Sequence, residues 1–587
     1  MKKNVLSQRN KYGKYELCFW IIITVFIIFS AYFILKVPYL AVDDYSIVAS
    51  VGGIFGNGRE SYTIPFMGVA LTYLMSKFSD ITGIFNTYAI FVITSMSISF
   101  FVQQYVLYKF RKGIFEHIVL CLVQCIILVN STFTVVGFTL TGTGLILGYF
   151  SDIQNKNRFI NCIGAGVMIF LGACWRTNSV YIVILFIPLL FERIVSGRFQ
   201  SSIIIFIWTI AAYYIVKNVN VVVFGQTDIG AYYLKHNSAR GFFVDRPTMA
   251  YSDLFKNAGW TENIYNAFYS KVTIDKKWFG YDILSEMRSK VSILDKYEFN
   301  IITIAKDIVK RARRFGSVGM YLIAGASVCF CQVKNCAGNK KRIEYVVAYL
   351  ITYVLFLMLI VRQRFVERVS IPFFAFGIIQ LLICCQENSI VWKPGKYIYN
   401  LIDRSKADRI FGRKQRNKNG EIWIRIVGIV PVVMMIFYLS SYIHNNYNNV
   451  KNIVQKSAVM DAYDYMNDNK DNLYIVSWGD RAKEYINLIP IVDFKEDMFA
   501  SNIVVIRGYE NFSEGYYKTV SKYNVTDKDN ILYSLAKDEN VFLLAPEEEI
   551  PEIYKAFMRD GYNLEVELTP VEYFDDENVI YSVSTVE

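Results

Sequence analysis

Long apolar runs recur along the first three quarters of the chain, separated by short polar segments. A helix needs about 20 apolar residues to cross a hydrocarbon core that is about 30 Å thick. The pattern therefore predicts a polytopic α-helical membrane protein with about 11 transmembrane helices. The candidate spans are 17–35, 84–108, 114–134, 136–150, 159–175, 179–192, 200–223, 316–333, 343–361, 369–386 and 424–443.

One further apolar run, 62–75, is too short to count among the spans. It has about 14 residues and is bordered by Arg59, Glu60 and Lys77, a length that favours a helix lying in the membrane interface. The distribution of Lys and Arg supports this interpretation, because cytoplasmic loops are rich in both residues. If 62–75 spanned the membrane, the basic cluster at 109–112 and the later clusters would face outside.

The same rule orients the whole chain. With the N-terminus in the cytoplasm, the basic loop 387–423 also lies inside. The loop 36–83, the large loop 224–315 and the C-terminal region 444–587 then lie outside. We therefore expect a multi-pass protein of the plasma membrane, with a transmembrane domain over 1–443 and an extracytoplasmic C-terminal domain.

The region 444–587 changes to a pattern in which strands and helices alternate. Strands are predicted at 473–478, 502–507, 541–545, 564–568 and 579–583, with helices near 513–523 and 548–560. Alternation of this kind is typical of a small α/β domain. The region contains neither a G-x-G-x-x-G motif nor a P-loop, so we expect no nucleotide site there.

Composition agrees with a membrane protein and argues against a soluble globular protein, a nucleic-acid-binding protein and a zinc protein. The 587 residues are 54% hydrophobic, with a mean hydropathy of +0.29. The net charge of +11 fits basic cytoplasmic loops, and we expect membrane lipids as partners and no nucleic acid. The chain has only three histidines, far apart, so a zinc site of the usual spacing is not predicted.

The first candidate site is the acidic pair Asp43 and Asp44, which follows the first span closely. Adjacent carboxylates repel each other, and a low-dielectric neighbour raises the pKa of at least one, as a general base requires. We expect an extended loop whose two side chains point in opposite directions, with Asp43 as the base and Asp44 in support. The alternative is a solvated loop whose acids only mark the end of a span.

The second candidate site consists of arginines at the outer ends of spans. Arg364 and Arg368 are four residues apart, so on a helix they would share a face, and Arg362 lies beside them. The planar guanidinium matches phosphate oxygens, so the group predicts a phosphate site. Arg176 is a weaker candidate of the same kind. The alternative is that these side chains reach lipid headgroups or pair with acids such as Glu367.

The first span, the outer loop with its acidic pair and the interfacial helix opening with Pro65 together resemble the GT-C superfamily of membrane glycosyltransferases. The stretch from Arg364 to Pro372 is similar to helix starts near the donor phosphate in such enzymes, and the segments 257–263 and 275–278 resemble outer loops of uncharacterised bacterial members. The resemblance covers 1–445 in layout, and the 224–315 loop departs from the better-studied members.

The resemblance implies a GT-C type hexosyl- or pentosyltransferase that uses a polyprenyl-phosphate sugar as donor and a glycan or lipid-linked acceptor of the cell envelope. It also implies that Asp43 or Asp44 is the catalytic base or a metal-linked acid. No cofactor is predicted with certainty, and a divalent cation stays an option. The alternative functions are a transporter or polymerase-type protein for lipid-linked glycans and a non-enzymatic envelope sensor.

Overall fold

The computed structural model divides the chain into two compact units. The first contains residues 1–37, 92–213 and 300–445, and the second contains 38–91, 214–299 and 446–587. The structure describes residues 2–586 apart from 40–41, 55–62, 111, 154–156, 198, 246–247, 271, 292–300, 314–315, 336–338, 362–364, 384–417, 454–457, 507, 548 and 576–577. Most of the predicted basic loop 387–423 thus lies outside the described residues.

The predicted membrane helices are present. Among the described residues, nine helices are long and apolar enough to cross a membrane. They are Tyr15–Ile34, Thr87–Lys109, Phe133–Ile153, Arg158–Trp175, Thr177–Val195, Gln200–Phe224, Ser317–Lys334, Arg342–Val361 and Val427–Asn445. The two other predicted spans are helical as well, over Ile114–Val129 with 16 residues and, up to the last described residue before 384, over Glu367–Ile383 with 17. The polytopic helical fold class is therefore confirmed.

The predicted span 136–150 lies within the helix Phe133–Ile153, which is the most deeply buried of the nine candidate membrane helices. Every residue of this helix from Phe133 to Asp152 is buried. Glycines allow this helix to pack closely against Arg158–Trp175. A Cβ added to Gly172 would lie 2.2 Å from the Thr141 hydroxyl oxygen and 2.7 Å from the Gly137 carbonyl oxygen. Only a residue without a side chain fits this crossing.

The first unit also contains the following helical elements, the last of which continues into the second unit. The N-terminal helix Lys2–Phe29 ends in a π-helical turn, Ser30–Ile34, and a 3₁₀ segment, Thr177–Phe186, leads into Ile187–Val195. The remaining helices are Ile301–Arg313, Ser317–Met320 with its π-helical continuation Tyr321–Gly325, Ala326–Asn335, Asn339–Val361 and Lys418–Ile453.

The second unit is built on a five-stranded mixed sheet. Its strands are β1 Leu473–Val476, β2 Ile503–Val505, β3 Val541–Ala545, β4 Val566–Asp575 and β5 Asn578–Thr585. The strand order is β2-β1-β3-β5-β4. The first three strands are parallel, and β5 pairs antiparallel with β3 and β4. The α/β prediction for the C-terminal region is confirmed.

Helices of the second unit come from three separate parts of the chain. The C-terminal part supplies Ala458–Asp468, Asp480–Leu488, Glu496–Met498, Glu514–Ser521, Ile531–Leu535 and Glu549–Tyr562. The segment after span seven supplies Asp228–Val244, Asp253–Lys256, Glu262–Tyr269, Lys276–Phe279 and Tyr281–Ser289. The segment 38–91 supplies Val42–Gly52 and Val69–Thr82.

The segment that the sequence presented as a large loop shares one hydrophobic core with the C-terminal strands. Trp260, Phe268 and Phe279 are buried in the same cluster as Leu543 and Phe557. The rings of Phe279 and Phe557 stack with centroids 5.6 Å apart. The sequence-based boundary at residue 443 therefore separated segments that fold together.

The short amphipathic helix of this unit begins later than predicted. It runs from Val69 to Thr82, and Pro65 lies in the preceding turn, so the prediction that the helix opens with Pro65 is wrong. The local reason is the Asn220 side chain, which accepts a hydrogen bond from the Val69 amide at 2.9 Å and donates one to the Met67 carbonyl at 2.7 Å. These bonds fix the first turn at Val69.

Candidate functional site

A cavity of about 330 Å³ lies within the first unit. Most of its lining is apolar, and its polar side chains are few: Thr134, Arg176, Asn178 and Arg368. A mainly apolar cavity with a small number of charged groups is typical of a site for an amphipathic ligand. The apolar and aromatic lining residues are Phe138, Tyr181, Ile184, Leu355, Met358, Leu359, Val366, Val369 and Phe373.

Both arginines of this cavity lie against one aromatic ring. The guanidinium carbon of Arg176 is 5.2 Å from the centroid of the Phe133 ring, and that of Arg368 is 5.9 Å from the same centroid. A guanidinium within about 6 Å of a ring is attracted to its face. Two positively charged side chains therefore pack on Phe133 beside an apolar cavity.

The local backbone explains how Arg176 reaches this position. The helix Arg158–Trp175 ends just before it, and Arg176 is extended, with φ −153° and ψ 110°. The indole of Trp175 donates to the Ser95 hydroxyl oxygen at 3.1 Å, which fixes the helix end. A Cβ added to Gly137 would lie 3.0 Å from the Arg176 Cβ, so the glycine gives Arg176 its space.

Arg368 is positioned by the first turn of the helix Glu367–Ile383. The Ser370 hydroxyl of this turn accepts a hydrogen bond at 2.7 Å from the hydroxyl of Ser317, which begins the helix Ser317–Met320. Arg368 is half-buried, as is Arg176. Both side chains are thus held by ordered backbone, which limits the entropy lost when they bind a ligand.

The structure brings together only part of the predicted arginine group. Arg362 and Arg364 lie outside the described residues, so their predicted role stays a prediction. The sequence treated Arg176 as the weaker candidate, yet it is Arg176 that shares a ring with Arg368. Sequence reasoning missed Phe133 entirely, because an aromatic residue at the start of an apolar run carries no local sign of the cations that pack on it.

The acidic pair lies in the second unit, in the first turn of the helix Val42–Gly52, which we call the acidic helix. The prediction of an extended loop for Asp43 and Asp44 is therefore wrong. Acidic side chains stabilise the first turn of a helix because they face its positive dipole end. Successive residues on a helix still point about 100° apart, so the two carboxylates have different surroundings.

Those surroundings separate the two acids clearly. Asp44 is fully buried and accepts a hydrogen bond from the hydroxyl group of Tyr88. Asp43 is only partly buried. The Tyr88 ring contacts that of Tyr39 at a centroid distance of 5.4 Å. Asp44 is therefore fixed by its environment, whereas Asp43 is the more accessible carboxylate.

Aromatic side chains pack the acidic helix against the C-terminal part of its unit. The Tyr45 hydroxyl lies 2.6 Å from that of Tyr463 and donates to the Met498 carbonyl at 3.0 Å. The Tyr45 ring stacks on Phe499 with centroids 4.4 Å apart. These contacts fix the helix that presents Asp43.

Side chains that bind metal ions do not cluster in the described part of the chain. Among the described residues, no group of three or more His, Cys, Asp and Glu side chains is arranged to hold a metal ion.

Comparisons with known proteins give one structural likeness. No protein-family model matches the chain, and no curated protein matches it. Among solved structures, the chain is similar to the archaeal oligosaccharyltransferase AglB from Archaeoglobus fulgidus, in complex with an inhibitory peptide and a dolichol-phosphate. The identity is 10%, the TM-score is 0.47, and the match covers 93% of this chain and 71% of that one.

Proposed function

We propose that the protein is a membrane glycosyltransferase that moves a sugar from a polyprenyl-phosphate donor to a hydroxyl group of a cell-envelope glycan or another acceptor. The observation that carries the proposal is the placement of Arg176 and Arg368 on one ring at the edge of an apolar cavity. The sugar is a hexose or a pentose, as the resemblance to GT-C enzymes implies.

The cavity fits the two chemical parts of such a donor. Its aliphatic and aromatic lining suits a polyprenyl chain, which is wholly apolar. The two guanidinium groups suit the phosphate, because their N–H donors match its oxygens in charge and geometry. Thr134 and Asn178 supply further polar groups at the same wall. Arg364 and Arg362 would add to this phosphate site.

The reaction itself needs a base and a stabilised leaving group. Asp43 takes the proton from the acceptor hydroxyl, whose oxygen forms a new bond to the anomeric carbon. The bond from that carbon to the phosphate oxygen breaks with inversion, and polyprenyl phosphate leaves with the electron pair. Phosphate is already a fair leaving group, so the arginine charges contribute chiefly by stabilising the negative charge that develops on it.

The proposed chemistry belongs to the outer face of the membrane. The proposal is supported by the distribution of basic residues, which favours a cytoplasmic N-terminus and an outer location for the segments 36–83, 224–315 and 444–587. The acidic helix would then face the compartment in which envelope glycans are assembled.

A donor panel tests the proposal. Purified protein in lipid nanodiscs is incubated with a series of radiolabelled polyprenyl-phosphate sugars and a crude envelope-glycan acceptor. We expect one donor to be consumed, with release of polyprenyl phosphate and labelled acceptor. If no donor is consumed, and the protein instead moves intact donor across sealed vesicles, the proposal fails and the transporter alternative replaces it.

A further inference from the structure

Glu510 is a buried carboxylate of the second unit that the proposed mechanism does not use. Both of its carboxylate oxygens are shielded from solvent, and no side chain among the described residues is hydrogen-bonded to them. The carboxylate folds back over its own turn, and it lies so close to Gly508 that a Cβ added there would be 2.6 Å from it. Burial of an ionised carboxylate without a partner is costly, so such a group is normally protonated or functional.

The turn that carries Glu510 touches the acidic helix on one side and the helix Asp228–Val244 on the other. The hydroxyl groups of Tyr509 and Ser50 are 3.5 Å apart. The Asn237 side chain donates to the Tyr509 carbonyl at 2.9 Å and accepts from the Arg240 guanidinium at 3.0 Å. Glu510 is therefore held in place beside the helix that presents Asp43.

Charged groups on both helices act on the pKa of Glu510. Burial is the main cause that raises its pKa, to about 7, and the charge of Asp43 adds to the rise, while Arg240 and the backbone amides of the turn oppose it. The other titratable neighbours on described elements are the hydroxyl groups of Tyr233, Tyr463 and Tyr509, whose pKa values burial and Glu510 both raise.

We propose that Glu510 is a positioning residue of the acidic centre, which holds a proton beside Asp43 so that Asp43 carries the negative charge of the pair. Two carboxylates in a low-dielectric site do not both ionise readily, and the more buried one keeps the proton. The coupling of the two acids rests on the structure alone. Its catalytic meaning, an ionised base at Asp43, rests on the proposed function.

The coupling is tested by stability, which needs no substrate. Because the pKa of Glu510 is higher in the folded protein than in the unfolded chain, the folded state binds more protons, and the wild type loses stability as pH rises from about 4 to about 7. Glu510→Gln mimics the protonated acid and lacks this loss. The gain in apparent Tm of Glu510→Gln over wild type should be near zero at pH 4 and reach several degrees at pH 8.

Two further variants complete this measurement. Asp43→Asn should move the pH at which the Tm gain appears to a lower value, because one negative charge is gone. Glu539→Gln, an exposed acid of the same domain, is the matched control and should show no pH-dependent gain. Asp275, whose pKa burial raises to about 6, is present in every variant and cancels. A Tm gain of Glu510→Gln that does not change with pH overturns the proposal. So does a gain that appears at the same pH with and without Asp43→Asn.

An activity measurement separates a positioning role from a purely structural one. In Glu510→Gln the limb of the kcat–pH profile near neutral pH should disappear while donor Kd stays unchanged. A purely structural role would lower kcat equally at every pH, and that result overturns the positioning role. If no variant and no wild-type sample transfers sugar, the proposed function fails, and the Tm series still decides whether Glu510 and Asp43 are coupled.

Discussion

Removal of either cavity arginine should weaken the binding of polyprenyl phosphate. A hydrogen bond between a charged donor and a charged acceptor contributes about 1.5 to 3 kcal/mol net. Arg176 and Arg368 are half-buried, so salt and water screen them in part and the lower half of that range applies. Each alanine variant should therefore raise Kd by about 10- to 50-fold. Lysine should restore the charge without the planar fork, and thus only part of the affinity.

The shared ring allows a sharper version of the same experiment. Phe133→Leu keeps an apolar side chain but removes the ring on which both guanidinium groups pack. Each such contact contributes about 0.5 to 1 kcal/mol at a partly exposed site. Loss of both contacts should raise Kd by at most about 5- to 30-fold, the limit reached when this energy serves only to position the two charges, which are themselves intact.

The assay is equilibrium titration of a fluorescent polyprenyl phosphate into protein-loaded nanodiscs, at low and at high salt. Arg342→Ala is the matched control, since Arg342 is exposed at the start of a different helix, Asn339–Val361. It should leave Kd unchanged. If the alanine variants of Arg176 and Arg368 also bind with the wild-type Kd, the two arginines only anchor helix ends to lipid headgroups, and the cavity does not hold the donor phosphate.

Three further predictions concern the base, the amphipathic helix and the orientation. Asp43→Asn should lower turnover by at least about a hundredfold without changing donor affinity, whereas Asp44→Asn should act mainly by lowering the apparent Tm; turnover near wild type in both would remove the acidic pair from the mechanism. Asn220→Leu should also lower the apparent Tm, because two backbone groups lose their partner at about 1 to 3 kcal/mol each; an unchanged Tm would show that the start of this helix is fixed elsewhere. A cysteine at the exposed position Ser521 should react with an impermeant thiol reagent in intact cells, and one at Ser405 should not; the reverse pattern would invert the orientation.

Much of the fold was predictable because its signals are local. An apolar run of spanning length needs no partner to be recognised, and the strand predicted at 541–545 lies at Val541–Ala545 because its five apolar residues are all largely buried. The acidic helix escapes sequence analysis because the acidic pair follows the first span closely, in a segment predicted as an outer loop, whereas the chain forms a helix that ends at Gly52, ahead of the glycines at 53, 56 and 58. Its first ten residues are compatible with a helix, and the glycines mark only its end.

The candidate site was less predictable, because its parts meet only in the folded chain. Arg176 and Arg368 are far apart in sequence, and nothing near either one indicates that both contact Phe133. The burial of Asp44 and the position of Glu510 beside the acidic helix depend in the same way on contacts between distant segments. Residue types alone identified the acids and the arginines as candidates, but not which member of each set does which task.

The shared core of the second unit has a consequence for biosynthesis. Trp260, Phe279 and their neighbours are made about 260 to 280 residues before the strand Val541–Ala545 that covers them. At the usual rate of about 5 to 20 residues per second, an apolar surface would stay uncovered for roughly 13 to 56 seconds. A ribosome that stalls or a chain truncated within this interval would leave that surface exposed on an inserted membrane protein. Quality control that recognises uncovered aromatic surface would therefore remove incomplete chains before they reach the site of action.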